Sequence, residues 1–440
     1  MSKSAFTDAA IRRLARRFGT PFYAYDFDEL ERRAHLLGGL LAPRFDLFYA
    51  VKANPSLAVL SLFARLGLGA DVASRGELAL ARRAGFAPDR IIMTGPAKSD
   101  ADLERAVGAR IFGINAEGEH ELDRLDRIAR RRRLRVPVQL RLSPDFGTRE
   151  GRSIIGGSGA TKFGMDLPTA ERVLARRGRW RSLDFGGFQV FQASNVLSAD
   201  RLLRNVRRVL ALSRELSLRY ELPLRKIDFG GGLGVPYAAS EKPLDVARLS
   251  RGLHSLARRV AGDPVFDGTK LLFEPGRWLV ADAGVYVSRV IEVKRMRGHR
   301  HVLVDGGIHH FARPALVGAP HPIRIVPSSG RSAPRARFSI GGPLCTALDS
   351  LGAGVLAPLP RPGDLVVAEK AGAYGFTESM PLFLSHEWPA EIGVRGERAA
   401  PLRAAPSVDS LLARQRAPAS LLGSSRSKAF LDARIRRARL

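Results

Sequence analysis

Eight short apolar runs alternating with amphipathic stretches predict a (β/α)8 TIM barrel, and a later switch to period-two alternation predicts a C-terminal all-β domain. The runs are DLFYAV (46–51), GADVAS (69–74), RIIMT (90–94), IFGIN (111–115), VPVQLRL (136–142), DFGGFQVF (184–191), KIDFG (226–230) and KLLFE (270–274). Between them, in stretches such as LAVLSLFARL and ADRLLRNVRRVLALSREL, apolar residues recur at three and four, the spacing of one helix face. A doubly wound sheet is the rival fold, but it rarely supplies eight such units in a row. Beyond Arg277, GVYVSRVIEVKRM, HVLVDGG, RARFSIGG and DLVVAEKAG alternate apolar and polar residues between Gly and Pro punctuation. The early segment PFYAYD is strand-like too, and it precedes the first barrel strand, so it is assigned to this second domain. The expected division is 1–30 joining the β-domain, 31–277 the barrel, 278–394 the β-domain, and 395–440 a mobile basic tail.

The composition narrows the classes. Of 440 residues 45% are hydrophobic and 26% charged, enough for a large core and unlike a disordered or collagenous chain. The single cysteine, Cys345, excludes an intrachain disulfide and a cysteine zinc site. The first residues lack a signal peptide's apolar centre and no apolar run reaches ~18 residues, so a cytoplasmic protein without membrane contact is expected. The net charge is +28, with arginine runs at 130–135 and 176–181. Those runs read as solvated helix ends, where cations offset the carbonyl dipole. No zinc-finger, RNP or helix-turn-helix pattern accompanies them, so nucleic acid is not the expected partner.

In a barrel of this kind chemistry gathers at the C-terminal strand ends. Lys52 stands there in FYAVKAN, where a desolvated amine would be a Schiff-base nucleophile; a lysine merely leaving the core is the plainer alternative. In IDFGGGLGVPY, Gly230, Gly231 and Gly232 follow a strand, and their N–H groups suit a phosphate, although a plain turn would read the same. FEPGRW sets Glu274 and Arg277 about a Pro-Gly turn. A carboxylate buried there needs a cationic partner, for which a protonated pyridine nitrogen would serve, and Arg277 could bind phosphate.

Together with GADVASRGEL, GGPLCTALD and AGAYG, these motifs occur in the order seen in fold-type III pyridoxal-phosphate decarboxylases. From about Pro21 to Val394 the chain resembles the ornithine, diaminopimelate and arginine decarboxylase group, and most closely its diaminopimelate branch. The alanine racemases share the architecture. The resemblance implies pyridoxal 5'-phosphate as cofactor, Lys52 as its Schiff-base lysine, and Asp71 as the nearby acid. It implies a phosphate cradle of Ser194, Gly230, Gly231 and Gly232, with Arg277 and Tyr374. Glu274 would lie against the ring nitrogen and keep it protonated, which favours decarboxylation over racemisation. Cys345 would come from the neighbouring subunit of a homodimer with shared active sites, as a proton donor.

The substrate-facing positions depart from the family. Phe191 replaces a histidine expected to stack on the ring. Arg313 and Asp349 are kept as substrate-binding positions, but Thr346 stands where a glutamate would meet the distal ammonium of diaminopimelate, and Val317 where a tyrosine would stand. GGIHH and FLSH resemble a side branch that includes decarboxylases of a glutamyl group held on a carrier protein. The expected activity is α-decarboxylation of an L-amino acid or aminoacyl group, with an acidic carrier as a possible partner for the basic chain. Diaminopimelate decarboxylation and a catalytically silent cofactor-binding homologue are the alternatives. His309 and His310, taken as neighbours on a strand, should face opposite ways and hold no metal.

Overall fold

The computed structural model describes residues 5–41, 44–146, 162–318, 320–329, 332–413 and 415–422. Strand β1 (Phe22–Asp26) precedes eight parallel strands: β2 (Phe45–Ala50), β3 (Gly69–Val72), β4 (Ile91–Thr94), β5 (Gly113–Ala116), β6 (Val136–Leu142), β7 (Leu183–Val190), β8 (Lys226–Asp228) and β9 (Lys270–Phe273). Each pairs with the next, and β9 pairs with β2 to close the barrel the alternation predicts. Caps mark where strands give way to helices. Ser74 Oγ accepts the Glu77 N–H to start the helix Arg75–Ala84, and Gly85, at φ +104°, ends it in a left-handed conformation.

Two sets of side chains fill this barrel. Outward residues pack with the helices in one continuous core. Inside, Phe48, Ile92 and Leu272, with Phe112 against them, form an apolar plug. Other inward positions are polar and buried: Asp71, Asn115, Gln139, Gln189, Asp228 and Glu274. Barrel interiors are ordinarily filled by bulky branched side chains, so a polar layer marks the end where function sits.

The layer depends on a local irregularity. Along β6 and β7, Val138 pairs with Phe185 but Leu140 pairs with Phe188, so β7 carries one extra residue at Gly186-Gly187. Phe185 and Phe188, three apart, therefore both face the helices, and Gln189 turns inward to donate to Glu274. Gly187 has φ +145°, and a Cβ there would overlap the carbonyl oxygen of Lys226 on β8.

The remaining strands are β10 (Gly284–Met296), β11 (His299–Val304), β12 (Ile323–Val326), β13 (Arg335–Gly341), β14 (Ser350–Pro358), β15 (Leu365–Ala368), β16 (Ala390–Arg395) and β17 (Arg398–Arg403). With β1 they make a mixed sheet in the order β14-β13-β11-β10-β1-β16-β17, with β15 pairing β10 and β12. Strand β1 lies between β10, antiparallel, and β16, parallel, so the N-terminal segment is built into this sheet. The sheet also runs further than the sequence suggests. Arg398–Arg403 pairs with β16, inside the stretch assigned to the basic tail, because Gly396, at φ +55°, turns the chain back on itself. Residues 423–440 of that tail lie outside the described residues.

Replacing Gly187 by Ala should destabilise the chain by about 3 kcal/mol or more, since a strained backbone and a closed barrel seam must both adjust. Gly38→Ala, in open space on the helix Phe27–Leu40, should instead gain up to about 1 kcal/mol. Urea denaturation of the two variants measures the contrast.

Candidate active site

The C-terminal ends of the strands surround a cavity of about 220 Å³ whose wall includes Lys52, Ser194, Gly231, Gly232, Glu274, Arg277 and Tyr374. Lys52 follows β2 in a short 3-10 turn, and its Nζ donates to Asp71 Oδ2 at 2.8 Å. Asp71 is buried on β3 while Lys52 stays partly open. Burial alone would discharge Lys52, as the sequence suggests. The carboxylate of Asp71 outweighs it, helped by Tyr374 and Glu274, and the ammonium is held above its ordinary range. The expectation of a desolvated free amine is thus corrected: the ion pair keeps the lysine charged.

The glycine run leaves β8 and turns sharply, with Gly230 at φ +63° and Gly232 at φ +101°. Gly231 has no room for a Cβ, which would overlap the Glu274 carbonyl oxygen. The Gly230 N–H is taken by Asp228 Oδ1 at 2.8 Å, whereas those of Gly231 and Gly232 have no partner among the described residues. Beside them Arg277, buried, donates to Tyr237 Oη at 3.2 Å and reaches Ser194 Oγ at 3.4 Å. Its guanidinium lies 4.7 Å from the Tyr374 ring centroid. Behind Tyr237 stands His321, whose pKa is lowered to about 4 by burial first and then by Arg313, Arg277 and Lys370. This group of N–H donors, one hydroxyl and one guanidinium is a complete anion cradle.

At the other side of the cavity Glu274 receives Gln189 Nε2 on Oε2 at 3.2 Å, while its Oε1 has no donor among the described residues. Burial raises its pKa well above the usual carboxylate range, and the neighbouring Asp228 and Asp71 raise it further. Glu274 therefore calls for a cation. A lysine, an anion cradle and a carboxylate with one oxygen left over, all in one cavity, are the complement of a phosphorylated pyridine aldehyde, and the residues present fit pyridoxal phosphate.

Not every expected residue joins this group. Phe191 lines the cavity. Arg313 is buried behind it, 5.1 Å from the Tyr374 ring centroid and paired with Glu378 Oε2 at 3.2 Å. Asp349 is not directed at the cavity: its two oxygens accept the N–H groups of Ile308 and Leu344, each at 2.8 Å, closing the turn that carries Cys345 and Thr346. Thr346 Oγ1 accepts the Leu348 N–H in that turn. Cys345 is exposed on this loop and does not line the cavity of its own chain. His309 and His310 sit in a turn after β11 rather than on a strand, so their rings lie side by side, centroids 3.7 Å apart, correcting the opposite-face expectation.

Residues not singled out from the sequence also shape the site. Asp228 and Gln189 sit under Glu274, and Tyr237 beside Arg277. Arg141, on the cavity wall, pairs with buried Glu117 at 2.7 Å. Asp228 alone had a legible signal, an acid one residue before FGGG.

Residues 27–281 match the family model described as pyridoxal-dependent decarboxylase, pyridoxal binding domain. The chain is 36% identical to the L-glutamyl-[BtrI acyl-carrier protein] decarboxylase of Niallia circulans, covering 92% of this chain and 96% of that one. It is 34% identical to the diaminopimelate decarboxylase of Pseudomonas aeruginosa, covering 92% and 94%. The crystal structure of diaminopimelate decarboxylase from Helicobacter pylori complexed with L-lysine superposes with a TM-score of 0.82 at 27% identity, covering 92% of this chain and 98% of that one.

The Lys52–Asp71 contact makes a direct prediction. In Asp71→Asn the burial effect on Lys52 is no longer opposed by an adjacent carboxylate, so its amine should discharge more easily. Amine labelling of Lys52 at pH 8 should speed up about tenfold, the equivalent of one unit of pKa, as mass spectrometry of the labelled peptide would report.

Proposed function

The chain belongs to the pyridoxal-dependent decarboxylases, and within that family we propose that it removes CO2 from a glutamyl group carried on an acyl carrier protein. When bound, pyridoxal phosphate supplies a conjugated ring able to accept the electron pair that departing CO2 leaves behind. In this reading Lys52 holds the cofactor covalently, with Asp71 keeping the lysine nitrogen protonated and in place. Ser194, Gly231, Gly232 and Arg277 bind the phosphate, and Tyr374 packs on Arg277. Phe191 would pack against the cofactor, and Glu274 as an anion would hold a proton at the ring nitrogen, the charge that lets the ring act as an electron sink.

Cys345 serves the site of a second copy. It is exposed and away from its own chain's cavity, as a residue lent across an interface would be. Leu348 on the same turn is 69% exposed and Leu316 is 63% exposed, apolar surface that a second subunit would cover. Cys345 would then return the proton to the carbon that lost CO2. The dimer is the assembly in which each cavity is complete.

The commitment of Glu378 carries the choice of substrate. The distal ammonium of diaminopimelate needs an anionic neighbour. Thr346 does not supply one, and Glu378, which could have swung in instead, is paired with Arg313. A γ-linked glutamyl group presents no charge at its distal end and asks for none. The identity to the carrier-protein decarboxylase agrees, and the +28 charge would steer an acidic carrier to the mouth. Free meso-diaminopimelate is the second reading, favoured by the 34% identity to the Pseudomonas aeruginosa enzyme.

A CO2-release assay comparing glutamyl-loaded carrier protein with free meso-diaminopimelate separates them. Two lost contacts of ~2 kcal/mol each should lower kcat/KM for diaminopimelate about a thousandfold relative to the carrier-bound substrate. A value near ~10⁵ M⁻¹s⁻¹ on free diaminopimelate, ordinary for an enzyme on its own substrate, would overturn the reading. Turnover of the carrier-bound substrate should also fall steeply with added salt.

The shared site has its own test. Lys52→Ala and Cys345→Ala chains, each inactive, should regain activity when mixed, because one hybrid cavity holds both residues intact. Subunit exchange shown by mass without any recovered activity would place both residues in one chain's site.

A further inference from the structure

We infer that Asp228 and Glu274 share one proton, and that Asp228 is the positioning residue that lets Glu274 become an anion only when a cation lies against it. The inference rests on the proposed place of Glu274 beside the cofactor's ring nitrogen and names the group that makes this place workable.

The geometry is that of two acids in one dry compartment. Asp228 is 0% exposed and Glu274 5%. Each has one satisfied oxygen: Asp228 Oδ1 accepts the Gly230 N–H, and Glu274 Oε2 accepts Gln189. Each has one oxygen, Oδ2 and Oε1, with no donor among the described residues. The two carboxyl groups come from neighbouring barrel strands, Asp228 opposite Leu272 and Glu274 two residues further on with its N–H on the Gly230 carbonyl at 2.7 Å, and their side chains act directly on one another. Two ionised carboxylates at that separation only repel, because neither has a hydrogen to give. A single proton turns the same contact into a hydrogen bond.

The neighbours leave no other source of that proton's charge. Asp71 faces the pair as a third acid, with Oδ2 given to Lys52 and Oδ1 without a donor. Lys52 acts on Glu274 as a cation, but it is already matched by Asp71. The side chains of Asn115 and Gln189 are neutral. Burial first raises the pKa of both carboxyls, Asp228 to about 6 and Glu274 well above the usual carboxylate range; Asp71 adds to both, while the contact between the two raises Glu274 and lowers Asp228, as a proton held on Glu274 requires.

Position assigns the roles. Glu274 lines the cavity and Asp228 does not, so a cation in the cavity meets Glu274 first. With the cavity empty, the proton resides on Glu274. With a cation present, it moves to Asp228, whose hydroxyl then donates to Glu274 and holds the carboxylate in place. The same Asp228 side chain also anchors Gly230, so the floor of the anion cradle and the counter-ion of the ring are set by one residue.

The test uses the full-length chain freed of cofactor, melted between pH 5 and pH 8, as wild type and as Asp228→Asn. A carboxyl whose pKa is raised on folding keeps a proton that the unfolded chain releases above its own lower pKa. It therefore lowers stability progressively as pH rises through this window. The amide of Asn keeps the Gly230 contact and gives Glu274 a permanent donor, so Glu274 ionises more readily and this loss shrinks. The wild-type Tm should fall with pH by about 3 °C more than that of Asp228→Asn.

A merely structural role would offset the two curves equally at every pH, and parallel curves would overturn the inference. On reconstitution Asp228→Asn should bind cofactor within about threefold of wild type, and Asp228→Ala, which lacks any donor to Glu274, about tenfold more weakly. If the alanine variant does not fold, the melting curves of the asparagine variant still decide. Failure of the premise reads differently: Glu274→Gln with undiminished CO2 release would remove Glu274 from the chemistry while leaving the melting curves unchanged.

Discussion

Three carboxyl groups buried at the mouth of one barrel set the terms for everything around them. Asp71, Asp228 and Glu274 are each at most 5% exposed, and an unpaired charge in such a place costs several kcal/mol. A fold tolerates that only if the charges are answered. Lys52 answers Asp71. One proton answers half of the remaining pair. The last negative charge is left for a molecule that brings its own cation, so the cavity is incomplete without its cofactor in an electrostatic as well as a steric sense. In the proposed reading, a protonated ring nitrogen against Glu274 would remove that penalty, and part of the cofactor's affinity would come from the relief.

The β-domain matters because it finishes this site from above. Tyr374 reaches the cavity on the loop after β15, held by its N–H to the Ala53 carbonyl at 2.8 Å, next to Lys52. Its ring lies near both Arg277 and Arg313. The Arg277 guanidinium is thereby fixed between the barrel's Tyr237 and the sheet's Tyr374 rather than free to sample solvent. Lys370, on the same loop, donates to the Pro236 carbonyl just beyond the glycine run. The two domains are thus tied where the anion cradle is built, and a disturbance of one should be felt in the other.

Much of this was legible in the sequence, for a reason that also explains the rest. Period-two and period-3.6 patterns report which side of an element faces a core, so the eight barrel strands and five of the nine sheet strands, β1, β10, β11, β13 and β15, stood out. The rule that chemistry collects at strand ends then pointed to Lys52, Glu274 and the glycines. Each miss lies where a pattern is broken locally. The Gly186-Gly187 bulge shifts the alternation of β7 by one and sends Gln189 inward, against a strict period of two. Local alternation puts His309 and His310 on a strand, but Gly306 and Gly307 turn the chain before them. Asp349 looked like a substrate ligand in GGPLCTALD, yet Gly307 and Gly342 leave room for its carboxylate to fold back onto backbone N–H groups. Which of two buried acids holds a proton has no linear signature at all, because it depends on residues from three strands meeting in space.

The same electrostatic reasoning bears on specificity. With the acids below the ring matched by Lys52, a shared proton and the cofactor, none of them is left for a distal ammonium. The wall above the ring is cationic instead: Arg141 and Arg277 face the cavity, and Glu378 is held by Arg313. A cationic substrate tail would enter against that field, whereas an uncharged tail leading out to an anionic carrier would not. Arg141 has its own counter-ion in Glu117, which also accepts the N–H groups of Gly95 and Gly164. That pair pins two of the loops around the mouth, so the positive wall is a fixed part of the cavity. In the proposed reading, selectivity against a second ammonium would thus follow from where charges are already placed and balanced.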